Sequence, residues 1–424
     1  MRFNSLNNWL SWQEGLHSSE IDLGLARVRA VYERLGVALE CPVITVAGTN
    51  GKGSCVAMLA AIYQTAGYRV GVYTSPHLLR YNERICIDGE EVTDEALCQA
   101  FARVDQARMA ADGNETSITY FEFGTLAALD LFARAALDVV ILEVGLGGRL
   151  DAVNIIDADV ALIATIAIDH VAWLGNDRET IGREKAGIMR SGRPAVCGDL
   201  NPPQSLVQVA QELGATLYFN GRDFGAKSQP DQWRWWSGLR QRDALPPPAL
   251  RGAFQLNNAA GVLMVTELLA ERLPLSQSHI RAGLANVKVA GRFQVIGGDV
   301  PLIFDVAHNP EAAQALANTL NAWPMPGRIF AIVAMMADKD IAGALQPLLK
   351  VVHEWHVTAI DIARSASVER MQQELQVLGA INVYHEATVA TALESVKSVA
   401  QPNDRIVIFG SFYTVAEALR TAYN

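Results

Sequence analysis

The fold is indicated most strongly by the stretch Val43–Ser54, which reads VITVAGTNGKGS. Val43–Val46 is a short β-branched run typical of a buried strand. A glycine-rich turn follows it, and Cys55–Tyr63 then has the composition of a helix. Backbone N–H groups of such a turn can point at phosphate oxygens, the helix N-terminus adds positive potential, and a lysine can reach the terminal phosphates. The stretch therefore predicts a phosphate-binding loop formed by Gly51, Lys52, Gly53 and Ser54.

The phosphate loop departs from the usual pattern, because Gly53 follows Lys52 and the hydroxyl arrives one place later, at Ser54. A displaced hydroxyl indicates that Mg²⁺ is held by other residues. Magnesium prefers oxygen ligands, and ligands of open α/β sheets bind beyond the carboxyl ends of the strands. Three candidates follow apolar, strand-like runs in the sequence: Ser75, Glu143 and His170. Each could instead cap a turn or serve a structural role, and Lys185 is interpreted from the sequence alone as an ordinary surface lysine.

Apolar runs alternate with helical stretches along most of the chain, which predicts an α/β protein. The near-continuous runs 137–144 and 159–166 are typical of a parallel sheet covered on both faces. A tryptophan-rich stretch, 223–250, interrupts the pattern and predicts a small β insertion with a loop after it. A second series of strand-like runs begins after Gly291, Rossmann-like in its alternation. We expect an ATPase-like domain over residues 1–290 and a C-terminal domain over residues 291–424.

Composition excludes several classes of protein. The chain has 424 residues, 19% of them charged, and a net charge of −10 without a long basic run. Nucleic acid is therefore not expected as a partner, since binding to its backbone needs clustered Lys and Arg. Five widely spaced cysteines without a CxxC predict neither a disulfide framework nor a zinc site. We expect no membrane span, no secretory signal and a cytoplasmic location.

Several segments, taken in order, resemble the folylpolyglutamate synthase family, a branch of the ATP-dependent ligases that includes the muramyl-peptide (Mur) ligases. The segments are GTNGKGS at 48–54, TSPHL at 74–78, LEVGLGGRLDAVN at 142–154, IDH at 168–170, REKAGI at 183–188, AGRF at 290–293, DVAHNP at 305–310, DKD at 338–340 and GSF at 410–412. The resemblance covers essentially the whole chain, and only the stretch 223–250 looks idiosyncratic. It implies an ATPase-like N-terminal domain with a mainly parallel sheet, followed by a C-terminal ligase domain.

The resemblance also assigns roles to residues. It implies that Gly51, Lys52, Gly53, Ser54, Asn258, Arg292 and Asp305 contact ATP, and that Ser75, Glu143 and His170 hold magnesium. Lys185 is expected to be carbamylated and to serve a second magnesium ion, which reverses the interpretation from the residue alone. His308 and Lys339 are placed near the substrates without an assigned partner. The pterin site would be formed by Ile21, Asp22, Leu23, Gly24, Thr119, Tyr120, Phe121, Glu122, Arg149, Leu150 and Asp151.

The function implied by the resemblance is ATP-dependent ligation of L-glutamate. The acceptors would be 7,8-dihydropteroate and the γ-carboxylate of tetrahydrofolates, each activated as an acyl phosphate, with Lys52, Lys185 and His170 in the catalytic set. The segments at 21–24 and 119–122 are similar to those of bacterial bifunctional enzymes. Two alternatives within the superfamily are a monofunctional folylpolyglutamate synthase and a Mur-type ligase acting on a UDP-linked acceptor. A nucleotide-binding regulator without ligase chemistry is an alternative of another class. We expect a monomer.

Overall fold

The computed structural model describes residues 2–111, 113–238, 240–323 and 325–423. Its internal contacts divide the chain into two compact units. The first unit contains the chain up to Ala167, together with Val171–Ala249 and Leu256–Val287. The second unit contains the chain from Lys288 onward and two short segments from earlier in the sequence, Ile168–His170 and Leu250–Gln255.

The first unit is built on an eight-stranded sheet whose spatial order is β4-β3-β2-β5-β1-β6-β7-β8. The strands are β1 (Val43–Ala47), β2 (Val70–Tyr73), β3 (Ile85–Ile87), β4 (Glu90–Glu91), β5 (Val139–Glu143), β6 (Val160–Ile163), β7 (Pro194–Cys197) and β8 (Thr216–Phe219). All neighbouring pairs are parallel except β2–β3 and β3–β4, which lie at one end of the sheet. Every residue of β1, β5 and β6 is buried, as expected for central strands covered on both faces.

Helices follow or flank these strands in the first unit. They are α1 (Leu6–Glu14), α2 (Ala26–Leu35), α3 (Lys52–Thr65), α4 (Asp94–Ala107), α5 (Tyr120–Ala133), α6 (Val171–Leu174), α7 (Arg178–Ala186), α8 (Gln204–Leu213), α9 (Gln255–Leu268) and α10 (Gln277–Asn286). Their starts follow local chemistry: Thr93, Thr119, Asp177 and Ser276 each accept a backbone N–H at a helix N-terminus. Two 3₁₀ helices, Tyr81–Arg84 and Ala152–Ile155, complete the unit.

The tryptophan-rich stretch forms the small β insertion that the sequence predicts. Strands β9 (Phe224–Gln229), β10 (Gln232–Ser237) and β11 (Gln241–Leu245) make a separate antiparallel sheet. Trp233 and Trp235 are fully buried, and the Trp235 indole donates a hydrogen bond to the Ala260 carbonyl on α9 at 3.1 Å. Packing within the first unit thus explains these two tryptophans. Leu239, inside the predicted stretch, lies outside the described residues.

The second unit has a six-stranded sheet of order β12-β13-β17-β14-β15-β16. The strands are β12 (Gln294–Ile296), β13 (Leu302–Asp305), β14 (Ile329–Val333), β15 (Glu354–Val357), β16 (Val383–His385) and β17 (Arg405–Phe409). Only the β12–β13 pair is antiparallel. The helices are α11 (Pro310–Ala322), α12 (Ile341–Leu345), α13 (Val368–Val377), α14 (Val389–Val399) and α15 (Phe412–Tyr423), with a 3₁₀ turn at Gln346–Leu348. This parallel, crossover-connected sheet is the Rossmann-like architecture expected from the sequence.

Strand limits differ from the predicted ones most clearly at the run 159–166, where β6 ends at Ile163. Its neighbours β1 and β7 end at Ala47 and Cys197, so the following residues have no ladder partners. Asp169 and His170 therefore lie on a loop well beyond the strand. Within the part of the chain that the structure describes, none of the helices has the length and apolar character needed to cross a bilayer.

Candidate active site

The phosphate loop lies between β1 and α3, in the context that the sequence predicts. Gly51 is the helix N-cap residue, in a left-handed conformation with φ of +87°, which glycine adopts without strain. Thr49 anchors the loop, because its N–H donates to the Thr165 carbonyl at 2.7 Å and its hydroxyl donates to the Ala167 carbonyl at 2.9 Å. The Lys52 ammonium donates to the Gly48 carbonyl at 2.9 Å and is thereby held over the loop. These hydrogen bonds fix the shape of the loop.

Asn258, on α9, lies against this loop although it is distant in sequence. A Cβ atom at Gly51 would stand 2.8 Å from the Asn258 side-chain oxygen, so any larger residue at 51 would collide with it. Ser54, two residues into α3, is almost fully buried. The first unit therefore brings together five of the residues predicted to contact ATP: Gly51, Lys52, Gly53, Ser54 and Asn258.

Two predicted magnesium ligands meet at the carboxyl ends of adjacent strands β2 and β5. Glu143 is the last residue of β5 and is 4% exposed. One of its carboxylate oxygens lies 3.4 Å from the backbone nitrogen of Ser75, which follows β2. Burial, with a contribution from the negative charge of Glu143, raises the pKa of the Cys55 thiol to about 12. A carboxylate and a hydroxyl beside a phosphate loop are hard oxygen donors that fit Mg²⁺.

Lys185 is 3% exposed, so its interpretation as an ordinary surface lysine is wrong. It lies in the last turn of α7, which packs directly on the glycine segment after β5. A Cβ at Gly148 would lie 3.1 Å from the Lys185 Cα, and the Arg149 N–H donates to the Glu184 carbonyl at 2.8 Å. Close packing of α7 on this segment buries Lys185, although the preceding residues Arg183 and Glu184 are charged.

Phe121, at the start of α5, packs on the glycine that follows β5 and Val144. A Cβ at Gly145 would lie 2.7 Å from the ring of Phe121, so the close approach requires glycine. The ring of Tyr73, at the end of β2, lies 6.0 Å from that of Phe121. Two segments predicted to bind a pterin, 119–122 and 149–151, thus both lie at the end of the sheet where β5 finishes.

Asp151 is a buried carboxyl group in this region. Its oxygens accept hydrogen bonds from the N–H groups of Leu146 at 2.8 Å and Val153 at 3.1 Å. Burial raises the pKa of Asp151 to about 7, against the opposing effects of these backbone bonds and the positive charge of Lys52. A carboxyl group that gains or loses its proton near neutrality is suited to pair with the amino and N–H edge of a heterocycle.

The N-terminal segment Ile21–Gly24 has no regular structure and is attached to the start of α5 through Arg27. Arg27 is ion-paired with Asp22 at 2.6 Å and with Glu122 at 3.1 Å. Glu122 also accepts the Thr119 N–H at 2.7 Å, which closes a capping box at the α5 N-terminus. The predicted residues Asp22 and Glu122 are therefore near one another. The sequence analysis missed Arg27, because nothing local marks a partner 95 positions away along the chain.

In the second unit, Arg292 and Asp305, which are both predicted to contact ATP, lie near each other. Asp305 ends β13 and accepts the N–H groups of Phe293 and Ala307, each at 2.9 Å. Burial raises the pKa of Asp305, while the positive charge of Arg292 opposes the shift. The Arg292 guanidinium lies over the Phe412 ring, 5.5 Å from its centroid, which restricts its orientation.

Asp169 is the centre of a charged cluster within the second unit. Its carboxylate accepts a hydrogen bond from the Lys339 ammonium at 2.6 Å and lies 3.3 Å from the His308 Nε2 atom. Burial alone would raise the pKa of Asp169, but the hydrogen bond from His308 and the charge of Lys339 lower it overall. The same carboxylate accepts the backbone N–H of His170 at 2.7 Å, and His170 has a left-handed φ of +52°. The cluster holds His308, Lys339 and the backbone of His170 in one place.

Among residues 2–111, 113–238, 240–323 and 325–423, no three or more His, Cys, Asp or Glu side chains are grouped so that they could hold a metal ion. The predicted ligand set is of another kind, since it includes a hydroxyl and a lysine that must be modified before it could act as a carboxylate. The Ser75 and Glu143 pair described above fits magnesium on its own chemistry.

Comparison with known proteins identifies the family. A model of the Mur ligase middle domain matches residues 46–235, and a model described as "Mur ligase, glutamate ligase domain" matches residues 291–412. The chain is 46% identical over 415 residues to the dihydrofolate synthase/folylpolyglutamate synthase of Escherichia coli, covering 98% of this chain and 94% of that protein. It belongs to the dihydrofolate synthase/folylpolyglutamate synthase family of Mur ligases.

Solved structures of this family agree with the fold described above. The structure of E. coli FolC in complex with DHPP and ADP superposes with a TM-score of 0.93 at 45% identity, covering 99% of this chain and 98% of that one. A bifunctional folylpolyglutamate synthase/dihydrofolate synthase with Mn, AMPPNP and L-glutamate bound gives a TM-score of 0.91 at 45% identity, with the same two coverages. The family, the fold class and the ligase class predicted from the sequence are confirmed.

Proposed function

We propose that the protein is an ATP- and Mg²⁺-dependent ligase that joins L-glutamate to dihydropteroate, giving dihydrofolate, and to the γ-carboxylate of tetrahydrofolates, giving polyglutamates. One observation carries the proposal. The phosphate loop, the Ser75–Glu143 pair and the Phe121–Gly145–Asp151 region occupy the carboxyl ends of adjacent strands in one sheet. The site so formed offers groups for a nucleotide, a metal ion and a flat heterocycle side by side. Relatives whose structures hold ADP with DHPP, or AMPPNP with L-glutamate and Mn, support the same assignment.

The reaction follows from the need to activate a carboxylate. An oxygen of the acceptor carboxylate attacks the γ-phosphorus of ATP, and ADP leaves, which yields an acyl phosphate. The glutamate amine then attacks the acyl carbon, phosphate is expelled, and the amine gives up a proton. Lys52 and the loop N–H groups orient the phosphates and offset the developing charge. Mg²⁺, when bound, would neutralise charge on the phosphate oxygens.

The proposal assigns roles to the predicted residues as follows. Gly51, Lys52, Gly53, Ser54, Asn258, Arg292 and Asp305 contact ATP, and Ser75, Glu143 and His170 hold magnesium. Lys185 is carbamylated and serves a second magnesium ion, for which its burial is the supporting observation. The segments 21–24, 119–122 and 149–151 form the pterin site. We propose residues 1–290 and 291–424 as the two functional domains; the glutamate ligase model begins at residue 291.

The test incubates the protein with ATP, Mg²⁺ and L-glutamate in separate tubes with dihydropteroate and with tetrahydrofolate, and products are followed by mass spectrometry. Dihydrofolate in the first tube and a glutamate-extended folate in the second are expected. Extension in the second tube alone would indicate a monofunctional folylpolyglutamate synthase. Phosphate release that requires a UDP-muramyl acceptor would indicate a cell-wall ligase, and turnover of ATP without any acceptor would indicate a regulator.

A cytoplasmic location and a monomeric state complete the proposal. Size-exclusion chromatography with light scattering measures the second of these directly, and a particle mass of about 46.0 kDa is expected for one chain. A mass near twice this value at assay concentrations would contradict the monomer.

A further inference from the structure

Arg27 connects two segments that are far apart in the sequence and that both belong to the proposed pterin site. It lies in the first turn of α2, where its guanidinium donates to the Asp22 carboxylate at 2.6 Å and to the Asp22 backbone carbonyl. The same group donates through Nε to a Glu122 carboxylate oxygen at 3.1 Å. One planar guanidinium thus holds the side chain and the backbone of residue 22 against the N-terminus of α5.

Burial makes the contact between Arg27 and Glu122 costly to lose. The Glu122 side chain is 5% exposed and that of Arg27 is 22% exposed, so the pair is largely removed from water. A buried carboxylate without a cation is strongly unfavourable. Glu122 satisfies the α5 N-terminus through the capping box at the same time, which restricts its carboxylate to one position. Arg27 therefore sits against a rigid support.

Segment Ile21–Gly24, by contrast, has no helix or strand to restrain it. The tie from Arg27 to Asp22 is its principal described attachment, with His17 a second neighbour of the Asp22 carboxylate at 3.4 Å. Ligand binding to an unrestrained segment is weakened by the conformational entropy that the segment loses when it becomes ordered. A segment whose backbone is already restrained avoids this loss.

We propose that Arg27 is a positioning residue for the pterin-bearing acceptor. Asp22 and Glu122 act as the two anchors of an Arg27 latch, and they set the position of residues 21–24 instead of contacting the acceptor themselves. The inference rests on the proposed function and revises one part of it, since the sequence predicts that both carboxylates line the pterin site. The recognition surface is then formed by the backbone of 21–24, the aromatic face of Phe121 and the segment 149–151.

The test compares four variants with the unsubstituted protein. Arg27→Met removes the latch but leaves the buried Glu122 carboxylate without the Arg27 cation. The variant Arg27→Met/Glu122→Gln is therefore made as well, because it removes that charge. Gln serves in capping boxes, so the second variant keeps the α5 N-terminus. Arg27→Lys offers one ammonium, which can reach one carboxylate at a time. Arg29→Met is the matched control, because Arg29 is an exposed arginine on the same helix.

Two readouts separate positioning from general damage. The first is KM for dihydropteroate against KM for ATP, and the second is amide hydrogen exchange of residues 21–24. In Arg27→Met/Glu122→Gln we expect KM for dihydropteroate to rise about tenfold, with KM for ATP unchanged and exchange of the segment accelerated. Arg27→Lys should fall between this variant and the unsubstituted protein, and Arg29→Met should match the latter.

The outcomes distinguish failure of the inference from failure of the proposed function. If the unsubstituted protein makes no dihydrofolate, the proposed function is overturned, and hydrogen exchange alone then judges the latch. If it makes dihydrofolate and the double variant keeps the same KM for dihydropteroate, the latch is overturned. An equal rise in KM for ATP would also overturn it, because the loss would then not be specific to the acceptor.

Discussion

The phosphate loop and the proposed pterin region, which comprises residues 21–24, 119–122 and 149–151, differ in how the chain builds them. The loop is one continuous segment between β1 and α3, and most of its groups come from residues 48–54. The pterin region is assembled from three separated segments, joined by the Arg27 ion pairs and by the contact between Phe121 and Gly145. A site formed by one continuous segment can be recognised from the spacing of its residues in the sequence. A site assembled from distant segments depends on tertiary contacts that no local sequence pattern indicates.

The largest effect is expected at the local site. Lys52→Ala removes the ammonium that lies 2.9 Å from the Gly48 carbonyl over the phosphate cradle. We expect ATP-dependent turnover to fall by about 10²- to 10³-fold, as when other preorganised charge-stabilising groups are removed. Steady-state assay of phosphate release measures it. Turnover near that of the unsubstituted protein would mean that residues 48–54 do not bind the phosphates.

Lys185 tests whether a buried residue that packs on the glycine segment after β5 is functional. Lys185→Ala is expected to lower turnover by about 10²-fold, while Lys227→Ala, which changes an exposed lysine of β9, should leave it unchanged. If Lys185 is carbamylated, the unsubstituted protein should lose activity in CO₂-free buffer and regain it with bicarbonate. Full activity of Lys185→Ala would remove Lys185 from the catalytic set.

Gly145→Ala sharpens the contrast between the two regions. The added Cβ would lie 2.7 Å from the Phe121 ring and must displace it, whereas the phosphate loop is not touched. We expect KM for dihydropteroate to rise about tenfold with KM for ATP unchanged. Gly238→Ala is the control, since a Cβ there meets no atom within 4 Å. Equal changes in both KM values would indicate that the regions are not separable.

The smallest effect on turnover is expected for Asp151→Asn, whose main consequence is on pH dependence. Burial raises the pKa of Asp151 to about 7, so the folded state favours the neutral carboxyl. Its contribution to stability is complete below the pKa of an unfolded carboxyl, about 4, and is lost as pH rises through about 7. Relative to Asp151→Asn, the unsubstituted protein should lose unfolding free energy across that window.

Chemical denaturation at several pH values, without nucleotide or Mg²⁺, measures this difference. Parallel stability curves for the two proteins between pH 4 and pH 7 would contradict the assignment of the titration to Asp151. The sign is the opposite of that for Asp169, whose pKa is lowered by its hydrogen bond from His308 and by the charge of Lys339, and whose ion pairs are lost as pH falls.

Much of the fold could be predicted from the residues. The strand Val70–Tyr73 coincides with its apolar run, and Arg405–Phe409 begins one residue before the run 406–409, because a parallel strand buried on both faces needs a mostly apolar sequence. The predicted ends of strands were less accurate where the neighbouring strands end early, as at the C-terminal end of β6. The family resemblance likewise rests on short motifs whose order along the chain is itself a property of the sequence.

The sequence by itself determined the α/β class, the phosphate loop, the β insertion and the family, since each depends on residues close together in the chain. Only the tertiary structure decided that Lys185 is buried, that Phe121 packs on Gly145, and that Asp22 and Glu122 share Arg27. Burial and ion pairing are properties of neighbours in space. Those neighbours are fixed when helices and loops pack on the sheet, and at these positions they come from residues dozens of places away.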